Sequence, residues 1–254
     1  LSRTNPGSKA ARCQSNVRRL LTAWQTYAYD NTDVLPPVLH GGQAQGGNFP
    51  VGMGPGWCEG WLDWTLSTDN TNSAFLLNPK WARLALYLGK QADVFKCPAD
   101  QYLSLTQRSR NWTKRVRSYS LGVGIGQGNA LTGPWSPIYR QITRITDFVH
   151  PMPAETWVFG EEHPDSINDP AFQYPSSAAF VDTPAAYHNG SCSFSFADGH
   201  AEMHRWVASL TAPRVGTAAA QDGQYLNNFG PVSPGDADLH WLSFHTQRLT
   251  TSSY

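Results

Sequence analysis

Between Lys9 and Tyr29 the apolar positions recur with helical spacing. Cys13, Val17, Leu20, Leu21, Trp24 and Ala28 form one stripe, and Arg12, Arg18 and Arg19 lie off it. Ser8 can accept from the first free amides, and Asp30-Asn31 followed by Pro36-Pro37 stops the run. Residues 38–74 are rich in Gly, Trp and Asn with little periodicity, which predicts a long ordered loop. A second helix is predicted from Pro79 to Leu88, with Asn78 as N-cap, Pro79 at the first helical position and Gly89 closing it. Strands are predicted at Val94 to Cys97, Ser118 to Val123, Thr156 to Phe159, Ser193 to Ala197 and His200 to Trp206. The last two flank Asp198-Gly199, a pair suited to a type I′ hairpin turn with positive φ at both positions. One long helix followed by runs of strands predicts an α+β fold, with the helix packed on an antiparallel sheet and long irregular loops between. Ala212 to Asp236 reads as irregular.

Composition narrows the partners. The 254 residues are 40% hydrophobic and 15% charged, enough apolar material for a large core, and 22 glycines with 18 prolines speak for turns over a helical bundle. A formal net charge of +0 leaves no electrostatic footprint for nucleic acid or an anionic membrane. The one basic-aromatic cluster, Trp112 with Lys114, Arg115 and Arg117, reads as a solvated loop face. The glycine run from Gly122 to Gly128 misses the spacing of a phosphate-binding loop, and no G-x-S-x-G elbow occurs. Cys13, Cys58, Cys97 and Cys192 include no C-x-x-C pair. Two disulfides, with three connectivities, or four buried thiols fit them equally.

The spacing from His188 to Asp198-Gly199, His-x9-Asp-Gly, resembles the C-terminal signature of prepilin-like proteins of the type II secretion pseudopilin kind with an enlarged head. Other blocks follow in the same order: KAARCQSNVRRLLTAWQTYAYDNTDVLPP, WLDWTLSTDNTN with VFKCPAD, GEEHPDSINDPAF, DTPAAYHNGSCSFSFADGHAEMHRW and DADLHWL. The resemblance implies that residues 1–31 are the C-terminal half of a pilin-type helix and residues 32–254 a single globular head. It implies an upstream apolar helix of about 20 residues that reaches the membrane. It also implies a non-catalytic filament subunit, located outside the cytoplasm. Its partners would be copies of itself, other pilin-like subunits and the inner-membrane assembly machinery.

The segment from Glu161 to Asp169 gathers Glu161, Glu162, His163, Asp165 and Asp169 in nine residues. Carboxylate oxygens suit Ca²⁺, which takes six to eight oxygen ligands. The resemblance also implies calcium in the C-terminal region, so Glu161, Glu162, Asp165, Asp169 and Asp198 are candidate ligands. STDNTN (Ser67 to Asn72) is a weaker one, with an Asx-rich turn as its plainer reading. The plainer reading of His188 is a hydrogen bond to Asp198 that braces the hairpin. Two rival functions follow from other residues. Trp57, Trp61 and Trp64 with Glu59 and Asp63 suit stacking on a carbohydrate. His163, Asp165, His188 and His200 suit a metal-dependent hydrolase if they converge.

Overall fold

The computed structural model describes residues 8–128, 140–175, 180–208, 214–216 and 235–246. The fold is α+β. Helix α1 (Lys9–Asp30) begins where the Ser8 side chain accepts from the Ala11 amide, and it buries Val17, Leu20, Leu21 and Trp24 along the apolar stripe. Each of those side chains contributes about 1.5–3 kcal/mol by leaving water. No described helix is long and apolar enough to cross a membrane.

Among the described residues five strands make one sheet: β1 (Tyr119–Gly122), β2 (Trp157–Glu161), β3 (Ala171–Phe172), β4 (Ser191–Phe196) and β5 (Ala201–Arg205). Their order is β3-β1-β2-β4-β5, antiparallel throughout except for the parallel β1–β3 pair. The alternation SCSFSF in β4 would ordinarily set serines toward water. Here both faces are buried. Ser195 pairs with Phe159 on the face that α1 covers, and Phe194 pairs with Gly160 on the other face. There the Phe194 ring lies 5.2 Å from Trp241 of α3 (Ala237–Phe244), a helix that the Asp236 side chain caps. Strand β4 thus turns its serines toward α1 and Phe194 toward α3. A bulge between Trp157 and Phe159 turns Trp157 toward the aromatic side, 5.5 Å from Phe194.

The β4–β5 hairpin closes differently from the expected type I′ turn. Gly199 N–H reaches the Phe196 carbonyl and Phe196 N–H reaches the His200 carbonyl, leaving a three-residue loop in which only Gly199 (φ +109°) is left-handed. That is a type I turn with a glycine bulge, which needs one positive φ where type I′ needs two.

Three other expectations are corrected. Asn78 ends a short helix, α2 (Ala74–Leu77), in place of starting one. Its side chain then accepts from Lys80 N–H, and extended Ala82 keeps the following turn, Arg83–Tyr87, at 3₁₀ length. The 94–97 segment is no strand: residues Ala92–Phe95 form a 3₁₀ turn whose Val94 and Phe95 are buried beside α1. Arg115 and Arg117 are 0% and 1% exposed, so the basic cluster is not a solvated face. The 38–74 segment holds three short 3₁₀ turns and no strand, and the Ala212 to Asp236 stretch lies largely outside the described residues.

Candidate functional site

Three chain segments meet α1 under its N-terminal half. Cys13 sits on the buried stripe of the helix. Cys97 opens the Cys-Pro-Ala-Asp turn, where its carbonyl accepts from Asp100 N–H. Glu161 ends β2, and His188 stands in the turn before β4, where Asn189 and Gly190 are both left-handed. One ligand atom from each of Cys13, Cys97, Glu161 and His188 lies within 4.8 Å of the other three, the one such group among the described residues. His188 Nε2 is 3.4 Å from Cys97 Sγ and 3.3 Å from Glu161 Oε1. Cys13, Cys97 and Glu161 are fully buried, and the His188 side chain is 6% exposed.

Each of three ligands is held from behind by a second group. Tyr119 Oη is 3.1 Å from Cys13 Sγ, Ala99 N–H donates to Cys97 Sγ at 3.3 Å, and Ser193 N–H donates to Glu161 Oε2 at 2.7 Å. Burial pushes the Cys13 thiol well up, with Cys97 and Glu161 adding to the effect. Burial alone would discharge His188, but its contacts with Cys97 and Glu161 outweigh it and raise the imidazole to about 10. All four cysteines are free thiols.

The acidic segment does not act as one cluster, since no three of Glu161, Glu162, Asp165, Asp169 and Asp198 gather in this way among the described residues. Glu162 accepts from Ser120 and Ser166 hydroxyls, and burial raises it to about 8. Asp165 accepts from Trp64 Nε1 and Gly216 N–H. Asp169 accepts from Gly41 and Ala171 amides, and burial lifts it to about 6. These oxygens order the loops around them. In STDNTN, Asp69 accepts from Gly46 and Trp61 amides, and Asn70 bonds to Asp63, an Asx-rich turn.

His188 does not brace the hairpin through Asp198. The whole of β4 separates the two, and Asp198 accepts from His200 Nδ1 at 2.6 Å at the exposed tip. The hydrolase set is dispersed for the same reason. His163 and Asp165 stand 4.0 Å apart, His188 faces Glu161, and His200 is on the hairpin. The tryptophans form no shared platform either. Trp57 stacks on Phe95 in the core and Trp64 is buried beneath Arg115.

Sequence reasoning named every member of the four-residue group, but in three unrelated roles. The signal that unites them is topological. Tyr119 pairs with Glu161 across β1 and β2, and Tyr119 meets Cys13, so the helix stripe and the end of β2 must coincide. No family model matches this chain, and no curated protein or solved structure matches it.

Proposed function

We propose that this chain is the head and lower helix of a pilin-like structural subunit, part of an extracellular filament of the type II secretion or type IV pilus kind. One observation carries the reading: a 22-residue helix near the start of the chain lies with a single buried face against a mostly antiparallel sheet. Its opposite face, with Arg12, Ser15, Arg19, Thr22 and Thr26, is open. A helix so placed can continue beyond the head as a spine on which neighbours stack. The order of the sequence blocks, ending in His-x9-Asp-Gly, supports the same reading. The head then faces the outside of the cell envelope, its partners are further pilin-like subunits, and contact with the membrane runs through an upstream apolar helix.

The test is the amino terminus of the native, cell-associated protein, read by peptide mass spectrometry. An N-methylated phenylalanine opening an apolar segment upstream of Leu1 is the expected result. A secretory-type cleavage site, or a start at Leu1 itself, overturns the reading.

A further inference from the structure

The geometry points to a zinc site made by Cys13, Cys97, Glu161 and His188, a metal staple that ties α1 to the sheet. A tetrahedral Zn²⁺ with bonds of about 2.0–2.3 Å sets its ligand atoms about 3.3–3.8 Å from one another. The distances here, 3.3 Å from His188 Nε2 to Glu161 Oε1 and 3.4 Å from His188 Nε2 to Cys97 Sγ, lie in that range, and every pair is within 4.8 Å. Two sulfurs, one imidazole nitrogen and one carboxylate oxygen form a donor set for Zn²⁺ in preference to Ca²⁺, which takes oxygen alone.

The surroundings are those of a built site. Two thiolates, one carboxylate and Zn²⁺ sum to a net charge of −1. Ala99 N–H, Ser193 N–H and Tyr119 Oη point hydrogen-bond capacity at the ligands, as outer partners of metal ligands do. Cysteine binds zinc as thiolate and histidine as neutral imidazole, so affinity is expected to rise with pH. The buried group lies next to a groove. The groove, of about 930 Å³ between α1 and the 90–101 segment, has Cys97 on its wall, with Arg12, Asn16 and Lys96 around it. Four protein ligands leave no open position, so the role is structural. The inference does not depend on the filament reading.

Protein purified without chelator, carrying all its residues, is analysed by elemental mass spectrometry and by thermal melting. The expected result is one zinc per chain and a fall in Tm of at least 5 °C when a chelator strips it, restored by Zn²⁺ but not by Ca²⁺. Replacement with Co²⁺ is expected to give thiolate-to-cobalt charge-transfer absorption and intense tetrahedral d–d bands. Cys97→Ser and His188→Ala weaken zinc binding at least about tenfold, and Cys58→Ser leaves it unchanged. Where a variant fails to fold, the wild-type stoichiometry and the cobalt spectrum still decide. A Cys13–Cys97 disulfide in the natively isolated protein overturns the proposal. So does equal restoration by Ca²⁺, or a cobalt spectrum without the thiolate band.

Discussion

Two regions of the molecule reach the same depth by different means. Under α1 the core is mostly apolar: Val17, Leu20, Leu21 and Trp24 are buried in it, Trp24 edge-on to Phe148, and stability there follows buried area. Around residues 96–120 and 159–169 the interior is charged. Lys96 pairs with Asp100, which also accepts from Ser118. Arg117 donates to the Tyr119 carbonyl, to Ser120 and to the Asn168 carbonyl. Arg115 donates to the Pro164 carbonyl and lies over the Trp64 ring. An apolar core tolerates volume-conserving exchange, whereas a buried ionic network fails sharply when one member is removed, because its partners stay desolvated. The teaching is that burial alone does not rank positions by cost; the partner left behind does.

Four measurements probe this contrast. Arg117→Ala should destabilise most, by about 3–5 kcal/mol in urea unfolding, since three buried acceptors lose their charged donor and stay desolvated. Leu20→Ala, on the apolar side, should cost about 2–4 kcal/mol; a loss equal to or above that of Arg117→Ala would remove the distinction.

The third measurement uses pH. Burial raises Glu59 and Glu162 to about 8 each and Asp169 to about 6. Folding therefore holds extra protons on these groups between their ordinary range and those values. Their contribution is complete below about pH 4 and is lost as pH climbs toward 8. Raised His188 acts in the same direction from about 6.5 to about 10. His204, lowered to about 4 by burial, acts oppositely but only below about 6.5. Metal-free protein should therefore be less stable at pH 8 than at pH 6.5. Glu59→Gln should flatten the curve between those points by up to about 1.4 kcal/mol per unit; an unchanged slope would take Glu59 out of the account.

The smallest effect is expected at the hairpin tip. Asp198→Asn should change stability by about 0.5 kcal/mol or less, because its pairing with His200 is solvent-exposed. A loss above 2 kcal/mol would show that the tip is tied to something other than its own turn.

The apolar region is also the one that could be read from sequence. The α1 stripe, the approximate positions of four strands and the hairpin between Phe196 and His200 depend on periodicity and turn chemistry, which are local. The charged region depends on where distant segments meet. Arg115 and Arg117 look like surface residues until Pro164 and Asn168 arrive to accept from them. Asn78 offered the same side chain to either end of a helix, and only packing decided which. β3, two residues long, has no period to detect. The four-residue group was legible as residue types but not as a group, since its members span Cys13 to His188.

The sheet order has a bearing on how the chain acquires its shape in time. Arg18 and Gln25 of α1 donate to the carbonyls of Ala201 and Ala197, bonds that span 183 and 172 positions. Helix α1 packs early against the Arg83–Tyr87 and Ala92–Phe95 turns, but it gains these two bonds only once β4 and β5 have been made. Such distant closure slows folding and leaves the β4-facing part of the helix stripe unpaired until those strands emerge.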